Sequence, residues 1–314
     1  MSQKLKRGLA MTALAAAALI AGCGGGTEQI DPFAPTRIIA FGDESSVILD
    51  SGKKYGINRL NTDTQLLDCT QNPNWVQLLA ANYGMVFRQC NVNGVALPQG
   101  IMYAASGLKV SDLATKIDLH LSNDRFFSKD LVTVMVGMND ILELYRQFPA
   151  QDRGSLINEA SVRGKQLAEQ VNRIANAGGR VLVATLFDMG DTPFGQNEKL
   201  LQSDIDRSVF LNDLTAAFNT AMRLNLLNDG RLIGLVLVDE TMQQIVRFPS
   251  AFSFTNVTQA ACRTDVAPQD CTSSTLQSDA SETQWAWAGD RYLGPTVQQR
   301  IGSLALTRAR NNPF

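Results

Sequence analysis

Histidine is nearly missing from this 314-residue chain: it has one, His120. A single imidazole excludes multi-histidine metal sites and leaves one candidate base for any serine–histidine hydrolysis. A strong excess of either charge is missing too. Twenty-eight basic residues stand against 30 acidic ones, so no positive field exists to hold a nucleic-acid backbone. No two of the five cysteines are spaced as C-x-x-C, which removes the usual zinc patterns. No apolar run reaches the roughly 20 residues of a comfortable membrane span; the most extended one occupies residues 8–22. The remainder is globular material, 45% hydrophobic and 18% charged, which excludes a disordered chain and supplies a large core. Nothing in it calls for a cofactor.

The start of the chain reads as an address. Lys4, Lys6 and Arg7 precede the apolar run, and Ile20-Ala21-Gly22-Cys23 closes it. This arrangement resembles the signal and lipobox of bacterial lipoproteins. The resemblance implies a signal peptide over residues 1–22, a lipid on Cys23, and a tether over residues 23–36. Gly24, rather than aspartate, after the cysteine implies the outer membrane. The membrane is then a partner through the lipid. The alternative is a plain secretory signal in which Cys23 has no role. Lipidation leaves Cys69, Cys90, Cys262 and Cys271, an even number that suggests two disulfides in an oxidising compartment. The expected pairing joins nearest neighbours, Cys69–Cys90 and Cys262–Cys271, although four cysteines allow three connectivities.

Buried strands are expected over residues 37–43, 130–137, 180–187 and 232–239, from short β-branched or apolar runs closed by turn residues. Helices are expected over 72–84, 111–121, 155–177, 203–228 and 296–310. Residues 100–110 hold small side chains and read as a loop near a site. Residues 250–284 are polar and weakly patterned, and read as a long loop or lid. Strands alternating with helices predict a three-layer α/β/α domain with a mostly parallel sheet. With no repeat and no interior linker, residues 37–314 read as one domain.

Three spots line up in that frame: Phe41-Gly42-Asp43-Glu44-Ser45 after the first strand, Gly107 in the small-residue loop, and Gly137-Met138-Asn139-Asp140 after the second strand. Their order and context resemble the SGNH, or GDSL, ester hydrolase family over most of residues 37–310. The closing WAWAGDRYLGPT stretch resembles that family's last block, where Asp-x-x-His stands. The resemblance implies a flavodoxin-like fold and attack on acyl esters by a serine, with a histidine as base and an aspartate orienting it. It makes Gly107 and Asn139 oxyanion donors.

The implied triad is not in place. The nucleophile position holds Glu44. One register of the last block gives Gly289 and Tyr292 for aspartate and histidine; a slip of one gives Asp290 and Leu293. Glu44 has two readings: a carboxylate nucleophile or base, or a side chain that fills the oxyanion site. Ser45 and Ser46 read as shifted nucleophiles or as helix caps. His120 reads as a solvated helix residue, and Tyr292 as packing at the site mouth with Trp285 and Trp287. Asp43, Glu44 and Asp140 are a weak cation cluster, because aspartates in such turns bond their own backbone; Asp140 is also a candidate cap for the helix that follows it. Two functions follow. One is a lipid-anchored hydrolase of acyl esters; the other is a non-catalytic envelope lipoprotein whose remnant cleft binds an acylated glycan or lipid.

Overall fold

The structure, a computed structural model, describes residues 32–314. The expected signal peptide, Cys23 and most of the tether lie outside the described residues. The last of the tether does not: Phe33 is buried, with its ring centroid 5.3 Å from that of Phe314. The packed chain therefore begins four residues before the expected boundary.

Five parallel strands form the central sheet: β1 (Arg37–Gly42), β2 (Gly100–Met102), β3 (Asp130–Met135), β4 (Arg180–Ala184) and β5 (Ile233–Val236). Their order is β2-β1-β3-β4-β5. β1 and β3 lie at the centre and are almost wholly buried, which is why their sequences are continuous apolar runs. The helices are α1 (Trp75–Asn82), α2 (Val110–Asn123), α3 (Met138–Tyr145), α4 (Arg153–Asn176), α5 (Pro193–Leu201) and α6 (Arg207–Asn225) in the crossovers, then α7 (Val238–Arg247) and α8 (Pro295–Asn311) after β5. α2, α4 and α6 pack in a row, and α1 pairs with α8. Among the described residues no helix is long and apolar enough to cross a membrane.

Two segments read as loops contain strands. β2 is three residues long, too short to leave a pattern in sequence. Within residues 250–284 lies β6 (Asn256–Ala260), which pairs with β7 (Trp285–Trp287) as a small second sheet. β6 is polar because none of its residues is buried. The disulfides join Cys69 to Cys90 and Cys262 to Cys271, the second stapling the segment that follows β6.

A sheet of this order changes winding direction between β1 and β3, and the crevice outside their carboxyl ends is where such folds bind ligands. Gly42 pairs with Met135 at that edge, so Asp43–Glu44 and Gly137–Asn139 emerge side by side.

Candidate active site

β1 ends in a tight turn rather than a helix. Asp43 N–H donates to the Met135 carbonyl (3.1 Å), and the Asp43 carbonyl accepts from Ser46 N–H (3.0 Å) and Val47 N–H (3.1 Å). The expected caps at Ser45 and Ser46 therefore have no helix to cap. Ser46 is buried, with its Oγ accepting from the Trp75 indole at 3.1 Å. Ser45 is buried too; its N–H donates to Asp43 Oδ1 (3.0 Å), and its carbonyl accepts from the Gln298 amide (3.3 Å).

Glu44 points into the crevice. Its Oε1 accepts from Gly107 N–H at 2.8 Å and from Ser106 Oγ at 3.0 Å, and its Oε2 accepts from Asn139 Nδ2 at 2.9 Å. Gly107 sits at φ +75°, and a Cβ there would meet nothing within 4 Å, so glycine serves the backbone conformation that presents the N–H. Asn139 lies on the first turn of α3, and its Nδ2 also reaches the Leu108 carbonyl (3.2 Å), which fixes its amide toward Glu44. Gly137 makes the preceding turn at φ +137°, where a Cβ would come within 2.8 Å of the Phe218 ring.

The neighbouring aspartates serve the frame. Asp43 is fully buried, and burial first, then the Glu44 charge, pushes its pKa up to about 7. Its Oδ2 has no hydrogen-bond partner. Asp140, expected to cap its own helix, accepts instead from Val110 N–H (3.0 Å) at the start of α2; burial pushes it up to about 6. Among the described residues no group of three or more histidine, cysteine or acidic side chains is placed to hold a metal ion.

At the last block, a Cβ on Gly289 would lie 2.6 Å from Tyr292 Cδ2, so positions 289 and 292 face each other. Tyr292 is buried, its ring 5.3 Å from that of Tyr55. Burial pushes its hydroxyl above the ordinary tyrosine range, and the Glu44 charge adds to that. Asp290 pairs with Arg291 (2.6 Å), and Leu293 is buried in the core. Of the two registers of the last block, the structure brings together Gly289 and Tyr292, while Asp290 is taken up by Arg291 and Leu293 by the core.

The description GDSL-like Lipase/Acylhydrolase belongs to the family model that matches residues 38–278. The chain belongs to that family. No curated protein matches it. Among solved structures it is similar to a member of the lipolytic protein G-D-S-L family from Veillonella parvula (TM-score 0.43, 13% identity, covering 86% of this chain and 96% of that one). It is also similar to an acetylxylan esterase from Geobacillus stearothermophilus (TM-score 0.44, 13% identity, 89% and 96%). A third is LAE5, an alpha/beta hydrolase enzyme from the metagenome of Lake Arreo (TM-score 0.45, 15% identity, 90% and 98%).

Within this GDSL-like frame, His120 makes its contacts with Tyr103 and Phe126 rather than with Glu44, Gly107 or Asn139. It lies in the last turn of α2, buried rather than solvated, 4.3 Å from the Phe126 ring centroid and hydrogen-bonded through Nδ1 to the Tyr103 hydroxyl (3.2 Å). Burial lowers its pKa, which favours the neutral ring. Trp285 and Trp287 are likewise buried rather than at the site mouth; Trp287 packs 5.3 Å from Phe187 and donates to the Val257 carbonyl (2.9 Å). Two site residues were not expected. Ser106 donates to Glu44, and Tyr55 donates in turn to Ser106 Oγ (2.9 Å). Ser106 had a signal, being the polar neighbour of Gly107. Tyr55 had none, since its contact crosses 51 residues of chain.

Proposed function

We propose that this protein is a lipid-anchored envelope member of the GDSL-like family that has given up serine ester hydrolysis and uses its cleft to bind ligand without turnover. The observation that carries this reading is the Glu44 carboxylate on the Gly107 and Asn139 donors. An ester carbonyl needs those donors for the negative charge that develops on its oxygen. Here a fixed carboxylate takes them, and it also repels a second anion. The nucleophile position is the same residue, so one side chain removes the attacking hydroxyl and blocks the oxyanion site. In a template serine hydrolase, loss of a triad member leaves about 10³- to 10⁴-fold catalysis over water, from binding and the oxyanion hole. With the hole filled, this residue of rate is lost as well.

One geometric feature favours a second reading, a weak hydrolase: Ser106 Oγ lies 3.0 Å from Glu44 Oε1, as a serine would from a carboxylate base. Labelling the purified chain with a fluorophosphonate probe, and mapping adducts by mass spectrometry, separates the two. The proposal expects no serine adduct. An adduct on Ser45, Ser46 or Ser106 overturns it, and one on Ser106 establishes the second reading.

A further inference from the structure

Beside the Tyr292 side of the site is a cavity of about 460 Å³, between the start of α5 and the segment stapled by Cys262–Cys271. Its walls include Asn197, Gln259, Arg263, Gln277, Arg291 and Tyr292. The guanidinium charges are already balanced: Arg263 Nε donates to Asp265 Oδ1 (3.0 Å), and Arg291 Nη1 donates to Asp290 Oδ2 (2.6 Å). A wall with compensated charge gives an anion no net attraction. It still offers planar amides and guanidinium edges. Such a surface suits a neutral, polyhydroxylated ligand, and the volume lies within the usual range for small-molecule sites.

The same helix supplies an apolar extension. Leu200 and Leu201 follow Asn197 by three and four residues, so they share its side of α5. They are 83% and 75% exposed and stand side by side at the end of a helix that lines a polar cavity. We propose that the cavity takes the sugar headgroup of a neutral glycolipid and that Leu200 and Leu201 receive its alkyl chain. This deepens the reading that the cleft binds without turnover and rests on it.

The test uses the full chain carrying Cys23→Ala, so that no lipid is attached, and isothermal titration calorimetry below the micelle concentration of each probe. The probes are dodecyl maltoside, maltotriose as a sugar alone, and dodecylphosphocholine as the same tail on another head. Dodecyl maltoside is expected to bind one-to-one and at least tenfold tighter than either of the others. The double variant Leu200→Glu/Leu201→Glu, at solvent-exposed positions that leave the core intact, should weaken dodecyl maltoside at least tenfold and leave maltotriose unchanged. Arg291→Ala should narrow the gap between the two detergents to less than threefold. Absent binding of dodecyl maltoside, equal binding of both detergents, or indifference to the leucine variant overturns the proposal. Dodecyl maltoside contains no ester, so its binding is read whether or not the chain cleaves esters. A fluorophosphonate adduct would overturn the non-hydrolytic reading alone.

Discussion

On the proposed reading, restoring a serine, an imidazole and a carboxylate should switch on ester hydrolysis, and the geometry says which substitutions to make. Glu44→Ser frees Gly107 N–H and Asn139 Nδ2 and places a hydroxyl at the nucleophile position. Gly289→Asp supplies the carboxylate and Tyr292→His the imidazole; a Cβ at 289 lies 2.6 Å from Tyr292 Cδ2, and an imidazole keeps a ring atom there, so the ring at 292 must turn to admit the aspartate. Losing the hydrogen bonds of a charged acceptor costs about 1.5–3 kcal/mol each. Two things offset this for Glu44→Ser: Ser106 and Gly107 are exposed, so water replaces the acceptor, and the buried Asp43 loses a like-charged neighbour. The fold should therefore survive. Glu44→Ser alone is expected to reach at most the roughly 10³- to 10⁴-fold over water that an oxyanion hole and binding provide. The triple variant Glu44→Ser/Gly289→Asp/Tyr292→His adds a general base, which typically contributes a further 10²- to 10⁴-fold. Initial rates on p-nitrophenyl acetate, with circular dichroism as the folding control, measure both. A folded triple variant no faster than Glu44→Ser would refute the placement of Gly289 and Tyr292, and no gain in either variant would refute the oxyanion assignment.

Other consequences follow from the same residues. The folded pKa of Asp43, about 7, is raised above its ordinary 3.8, so the folded state keeps a proton that the unfolded chain releases between those values. Its contribution to stability is retained at acid pH, falls as pH rises from about 4 to about 7, and reaches a cost of about 4 kcal/mol above that. Asp43→Asn should accordingly stabilise the protein far more at pH 8 than at pH 5 in urea unfolding; an equal gain at both pH values contradicts this. Gly107→Ala forces a side chain onto a backbone at φ +75° and should lower stability by about 1 kcal/mol or more, read from the shift in the same urea midpoint. An unchanged midpoint would show that the conformation is not required. Cys23→Ala should abolish palmitate labelling and move the protein from the membrane to the soluble fraction; a variant that stays lipid-labelled rules out Cys23 as the anchor.

The sheet was legible because its central strands are buried on both faces and so appear as apolar runs. β2 was not, since three residues carry no period, and β6 was not, since an exposed strand of a small sheet is polar. Glu44, Gly107 and Asn139 were legible as a set because their order and their context after strands and in the small-residue loop resemble the blocks of the SGNH family. Ser45 and Ser46 misled as helix caps because short polar residues after a strand serve turns as well as helices. His120 misled through its residue type, although its spacing carried the answer: Val110, Leu113 and Ile117 are the buried face of α2, and His120 continues it by three residues. Trp285 and Trp287 were read as site residues because the small sheet that buries them was itself unread. Tyr55 depended on a tertiary contact that no local pattern encodes.

The central claim is that the Glu44 carboxylate occupies the oxyanion donors, and nuclear magnetic resonance reads those donors directly. In the native chain the Gly107 amide proton and the Asn139 side-chain amide should resonate downfield, as donors to a carboxylate do. In Glu44→Ala both should move upfield, and added acetate should return them by filling the vacated place. Signals unchanged by Glu44→Ala would contradict the account, because the donors would then be held by something other than Glu44.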